Sequence, residues 1–125
     1  MKRILLVEDD HEDHYFFMNA LNRLQLNADC KTVSNGREAL DHLDRFPDYE
    51  IIFLDVNMPV MNGIDCLKQL KENQRYKNIP VVVMTTSINA PDKAICNKLG
   101  ASAIYHKPGT FNELCSGLNE ILLAN

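Results

Sequence analysis

Asp55 follows four consecutive apolar residues, Ile51-Ile52-Phe53-Leu54, and Glu8-Asp9-Asp10 follow another run, Ile4-Leu5-Leu6-Val7. A carboxylate where an apolar run gives way to a loop can bind a hard cation or attack an electrophile. Two further apolar runs also end in functional groups. Val81-Val82-Val83-Met84 leads into Thr85-Thr86-Ser87, and Ala101 to Tyr105 leads into His106-Lys107-Pro108. If the four run ends share one edge, they gather Glu8, Asp9, Asp55, Thr85 and Lys107. Two carboxylates about 5 Å apart repel by roughly 3 kcal/mol at an effective dielectric near 20, and three by an amount on the order of 10. Such a cluster calls for a cation, and carboxylate with water ligands suits Mg²⁺. Lys107 does not neutralise three acids; its ammonium would instead meet an incoming anion, to which Thr85 would also donate. The plainer reading of Asp55 by itself is a strand-ending acid that opens a turn.

The elements that must position these groups are legible in the hydrophobic period. The runs at 4–7, 51–54 and 81–84 are short, branched and continuous, as strands buried on both faces are. Ala28 to Val33 is polar in places and reads as an edge strand. From about Asp13 the period turns helical, with Phe17, Ala20, Leu21 and Leu24 on one stripe and His11, Tyr15, Met18 and Asn22 opposite. After Ser34-Asn35-Gly36 comes a helix carrying Ala39, Leu40, Leu43 and Phe46, stopped by Pro47. Asn62 can cap a helix with Ile64, Leu67 and Leu70. Pro91 suits the first turn of a helix that Gly100 ends, and Thr110 with Glu113 forms a capping box for the last one. Strand and helix alternate five times. That order implies an α/β fold with a parallel sheet covered on both faces, because parallel strands need right-handed crossovers.

The whole chain sets further bounds. Its 125 residues read as one domain, 1–125, with no output module, large enough to fold without metal or disulfide staples. A net charge of -4, from 17 acids against 13 bases with no basic block, argues against direct nucleic-acid binding. Glu8-Asp9-Asp10 interrupts the apolar run behind Lys2-Arg3, so neither a signal peptide nor a membrane element is expected, and the cytoplasm is the expected location. Cys30, Cys66, Cys96 and Cys115 are widely spaced without a C-x-x-C pair and read as buried hydrophobes. Asp10 reads as a solvated turn acid, Thr86 and Ser87 as loop-capping hydroxyls, and the four histidines lack metal-ligand spacing.

Val7-Glu8-Asp9, Leu54-Asp55-Val56-Asn57-Met58-Pro59, Thr85 and Lys107-Pro108, at these separations, resemble a response-regulator receiver domain along the entire chain. The resemblance implies a doubly wound, flavodoxin-like (βα)5 fold with sheet order 2-1-3-4-5. It implies that Asp55 accepts a phosphoryl group from a histidine kinase or histidine phosphotransfer protein. Asp9 and Asp55 would bind Mg²⁺ directly, Glu8 through water, and the Asn57 backbone carbonyl would complete the set. Lys107 and Thr85 would hold the phosphoryl oxygens, and the Lys107-Pro108 bond would be cis. The domain would not be an enzyme in the ordinary sense, although it would promote its own phosphorylation and dephosphorylation. It would signal to a downstream protein, by docking or onward transfer, and pairing with a second copy is open. The Asn57-Met58-Pro59 and Thr85-Thr86-Ser87 segments are similar to those of stand-alone regulators, including ones paired with phytochrome-type kinases.

One position departs from the pattern. Many receivers carry an aromatic residue three before the lysine, and here that residue is Ile104, with Tyr105 on the opposite side of a regular strand. A weaker or differently wired switch is expected, read out on the fourth helix, fifth strand and fifth helix. Two rival classes fit less well. A haloacid dehalogenase-like phosphatase wants a second Asp two residues after the nucleophile, where Asn57 stands and cannot act as an acid. A flavodoxin-like FMN carrier wants a phosphate-binding loop after the first strand, where three acids would repel the phosphate. No cofactor other than Mg²⁺ is expected.

Overall fold

The computed structural model describes residues 2–56 and 62–124. Five strands alternate with five helices: β1 (Lys2–Val7), α1 (His11–Arg23), β2 (Ala28–Val33), α2 (Gly36–Arg45), β3 (Ile51–Asp55), α3 (Gly63–Glu72), β4 (Val81–Thr85), α4 (Ala90–Leu99), β5 (Ala103–His106) and α5 (Phe111–Ala124). The strands form one parallel sheet in the order β2-β1-β3-β4-β5, as the resemblance implied. The weakly apolar segment, β2, is an edge, where polar side chains are tolerated.

Strand side chains alternate between two cores. Leu5, Val7, Ile52, Leu54, Val81 and Val83 meet Leu40 and Leu43 of α2, Leu67 and Leu70 of α3 and Cys96 of α4. Ile4, Leu6, Ile51, Phe53, Val82 and Met84 meet Phe17 and Leu21 of α1 and Leu118 and Leu122 of α5. The period-2 alternation thus assigns each strand residue to a layer. Continued to the strand ends, it puts Glu8, Asp55 and Lys107 on the α1–α5 side and Thr85 on the α2–α4 side. Ile104 shares the side of Thr85, and Tyr105 packs with the α1–α5 core.

The helix boundaries follow local chemistry. α1 starts at His11, two residues earlier than its apolar period, because Asp10 is its N-cap and accepts from the Glu12 and Asp13 backbone N–H groups. Asn35, Asn62 and Asn89 cap α2, α3 and α4 in the same manner. α4 ends at Gly100 in the left-handed conformation, φ 100°, as its position after Leu99 suggested. The Glu113 N–H donates to Thr110 Oγ1, the expected half of the capping box at α5.

Three expectations need correction. Phe46 lies outside α2 as its C-cap and is 54 % exposed, because the helix has already ended at Arg45 ahead of Pro47. Met18 is half-buried against the α1–α5 core instead of facing water. Among the described residues no peptide bond is cis, so Lys107-Pro108 is trans, the lower-energy isomer for an X-Pro bond. Among the described residues the four cysteines are unpaired, with Cys66, Cys96 and Cys115 buried and Cys30 half-buried. Burial pushes the Cys66 thiol up to about 12.

Candidate phosphoryl site at the carboxyl ends of the strands

β1, β3, β4 and β5 end together. The parallel register pairs Val7 with Leu54, Asp55 with Met84, and Thr85 with His106. Glu8 therefore falls one residue past β1 and Lys107 one past β5, on either side of Asp55. One carboxylate oxygen from each of Glu8, Asp9 and Asp55 lies within 4.8 Å of the others. Glu8 and Asp55 are 4 % and 3 % exposed, whereas Asp9 faces solvent.

Lys107 crosses this cluster. Its ammonium donates to Glu8 Oε1 at 2.9 Å, to Asp13 Oδ2 at 2.9 Å and to Asp55 Oδ2 at 3.3 Å. Its backbone N–H donates to the Thr85 carbonyl at 2.8 Å, which ties the β5 end to the β4 end. Burial acts to lower the pKa of Lys107, but hydrogen bonds to Asp13 and Glu8 and the charges of Glu8 and Asp55 outweigh it. The ammonium is held above its usual range. Glu8 moves the other way for an acid. Burial first, then hydrogen bonding and repulsion from Asp55, push its carboxyl up to about 8 against the opposing pull of Lys107. Burial, and after it Asp55, therefore favours the neutral form of Glu8 more than Lys107 favours the charged one.

That behaviour tests the donor set for a metal. Three hard oxygen donors close together, with the buried Glu8 carboxyl pushed up to about 8, fit a divalent cation such as Mg²⁺. Asn57, Met58 and Pro59 lie outside the described residues, and the Asn57 carbonyl is an expectation still.

Thr85 is fully buried at the end of β4. Its hydroxyl donates to the Ser87 carbonyl at 2.6 Å and accepts from the Ser87 N–H at 3.1 Å. Thr85, which the sequence did not single out for this, thus also serves as a loop-capping hydroxyl. In this conformation its side chain follows the loop into α4, on the opposite side of the sheet from Lys107.

Two features were missed from sequence. Asp13 joins the site from the first turn of α1, and its signal was an acid four residues after Asp9, readable only once the helix is known to start at His11. A cavity of about 230 Å³ also runs from Lys107 and Glu8 down between α1 and α5, past Phe16, Tyr105 and Phe111. The aromatic residues that line it come from three elements and share no local motif.

Over residues 4–119 the chain matches the family described as response regulator receiver domain. It belongs to that family. The receiver is 31 % identical over 123 residues to the chemotaxis protein CheY1 of Helicobacter pylori, covering 98 % of each chain. It is 34 % identical over 122 residues to the transcriptional regulatory protein CpxR homolog of Haemophilus influenzae, covering 98 % of this chain and 51 % of that protein. Among solved structures it resembles the phosphorylated cyanobacterial phytochrome response regulator RcpA. The TM-score is 0.86 at 31 % identity, over 96 % of this chain and 90 % of that one. The Mn²⁺-bound form of response regulator Rcp1 gives a TM-score of 0.85 at 28 % identity, over 97 % and 91 %. The receiver is a phospho-accepting regulator of a two-component system, a signalling domain and not a classical enzyme. Neither the phosphatase nor the flavin-carrier reading finds support. Among the described residues no helix is long and apolar enough to cross a membrane.

Proposed function

We propose that Asp55 is the phosphoryl acceptor, and that the donor is a phosphohistidine on a histidine kinase or histidine phosphotransfer protein. The observation that carries the reading is the Lys107 ammonium bridging Glu8 and the deeply buried Asp55 at the edge where the strands end. In this reading an Asp55 oxygen forms the new bond to phosphorus as the bond to the imidazole nitrogen breaks, and the imidazole keeps the electron pair. Positioning and charge neutralisation dominate such in-line transfers.

Glu8, Asp9 and Asp55 would hold Mg²⁺, with the Asn57 carbonyl as a further ligand. When bound, the cation neutralises charge on the acids and on the phosphoryl oxygens. Lys107 supplies a second positive charge from the β5 side and holds the oxygens by charge-assisted hydrogen bonds. Thr85 must give up Ser87 to donate to the phosphoryl, and that exchange is the trigger. The same site would let water attack the aspartyl phosphate, so the domain sets its own phosphoryl lifetime. A cytoplasmic location and a downstream protein target belong to this reading, which leaves self-pairing open.

Incubation with Mg²⁺ and acetyl phosphate, followed by intact-mass measurement, is the test. One added phosphoryl group is expected, suppressed by EDTA and abolished in Asp55→Asn. Equal phosphorylation of the Asp55→Asn protein would overturn the assignment.

A further inference from the structure

We propose that Asp13 is a positioning residue, holding the Lys107 ammonium in the phosphoryl site when Glu8 and Asp55 are committed to a divalent cation. The inference rests on the phosphotransfer reading above. Of the three carboxylates that bond the ammonium, Glu8 and Asp55 belong to the acidic trio and Asp13 does not. Asp13 is also as close to the ammonium as Glu8, at 2.9 Å, whereas Asp55 is at 3.3 Å.

The geometry around Asp13 is fixed from two directions. Its backbone N–H donates to Asp10 Oδ1 at 3.1 Å, so the cap that starts α1 also orients the turn bearing Asp13. The Lys107 side chain is only 15 % exposed, which confines its stem between α1 and the strand ends. A surface ion pair is ordinarily weak because both partners are mobile in water. Here one partner is confined and shared with two buried acids, and only the Asp13 end is half-exposed, at 41 %.

Cation binding changes what holds the lysine. With Glu8 and Asp55 bound to a divalent ion, the ammonium keeps less of its attraction to them and stands beside a like charge. A lysine stem is flexible, and without a counter-pull its head moves out to water. Asp13 supplies that pull from outside the metal set. Its exposure damps its repulsion of the incoming phosphoryl group more than it weakens a 2.9 Å contact.

With acetyl phosphate as donor, the Asp55 Oδ–phosphorus bond forms, the phosphorus–oxygen bond to acetate breaks, and acetate leaves with the electron pair. Lys107 offset from this exchange slows it. Asp13→Asn should lower the rate constant of aspartyl phosphate formation about tenfold, within the roughly 100-fold that a misplacement of about 1 Å can cost. The calorimetric Mg²⁺ dissociation constant should stay within about threefold, since Asp13 is outside the acidic trio.

The second readout needs no phosphodonor. In ¹⁵N-lysine-labelled protein with Mg²⁺, the Lys107 ammonium resonance should persist in the wild type, disappear by solvent exchange in Asp13→Asn, and return in Asp13→Glu together with most of the rate. In a Lys107→Ala background, Asp13→Asn should cost nothing further. A wild-type rate and ammonium signal in Asp13→Asn would overturn the proposal, as would a full additional loss in the Lys107→Ala background. Failure of the wild type to accept phosphoryl would instead overturn the phosphotransfer reading, and the ammonium signal would still decide the role of Asp13.

Discussion

Glu8 is the side chain at which a proton and a divalent cation would compete in this receiver. Its carboxyl is pushed from a reference value of 4.5 up to about 8, by burial and then by Asp55. The folded protein therefore holds a proton on Glu8 between about pH 4.5 and 8 that the unfolded chain has released. Its contribution to stability is full below the lower value and is lost as pH rises through the higher one. A divalent cation at the acidic trio must displace that proton. Calorimetry of Mg²⁺ binding near pH 7 in buffers of differing ionisation enthalpy should report roughly one proton released, falling towards none above the Glu8 value. Apparent affinity should rise with pH over the same range, and Glu8→Gln should remove the dependence. Buffer-independent heats at pH 7 would contradict this account. At this scale the sequence was informative about identity and less so about contacts. Glu8, Asp9 and Asp55 were readable because they follow the buried runs of β1 and β3, and Lys107 because it follows the short β5. Asp13 was not, because its partner is 94 residues away and is met only through the reach of a lysine stem.

Among the elements, the close approach of the start of α3 to the end of β3 constrains the site. Gly63 opens α3 against the end of β3, its N–H directed at the Val56 carbonyl at 3.4 Å. A Cβ at Gly63 would overlap the Val56 backbone and approach the Asp55 carbonyl to 2.8 Å. Neither obstacle is a flexible side-chain end, so the strand or the helix must shift. Gly63→Ala should destabilise the domain by about 1–3 kcal/mol, the usual cost of overpacking. A lower urea midpoint at unchanged m would show it. Gly109→Ala, with nothing within 4 Å of its Cβ, is the control and should change stability by less than about 0.5 kcal/mol. Equal midpoints for the two variants would refute the packing argument. Element type and order were legible because the buried runs of β1, β3 and β4, the amphipathic periods of the helices and the caps at Asn62 and Thr110 agreed. Boundaries were less so. α1 starts at His11 because Asp10 caps it, and an acid inside a run of acids does not announce which one is the cap.

At the scale of the whole molecule, the two-layer arrangement decides where a phosphoryl signal can travel. Lys107 belongs to the α1–α5 side and Thr85 to the α2–α4 side, so an anion on Asp55 would be met from both layers once Thr85 left Ser87. Each charge-assisted hydrogen bond offers roughly 1.5–3 kcal/mol. Moving a two-state balance from 1:99 to 99:1 takes about 5.5 kcal/mol of differential interaction. Lys107 already bonds three carboxylates and gains less than the full amount, so most of the usable difference falls to Thr85. Thr85 is tied to Ser87, and the chain runs from there through Asn89 straight into α4. Cys96 is the one buried residue of α4 among those described, which makes it a helix with little packing to resist a shift. Ile104, on the same side as Thr85, is half-buried and leaves no large ring to follow the hydroxyl inward. Phosphorylation should accordingly alter hydrogen exchange in α4 and β5 more than in α2, and by less than a complete switch would produce. Thr85→Ala should still accept phosphoryl on Asp55 but show no such change in α4, and its phospho-dependent partner binding should be lost. If exchange in α4 responds to phosphorylation equally with and without the Thr85 hydroxyl, the signal does not pass through that loop.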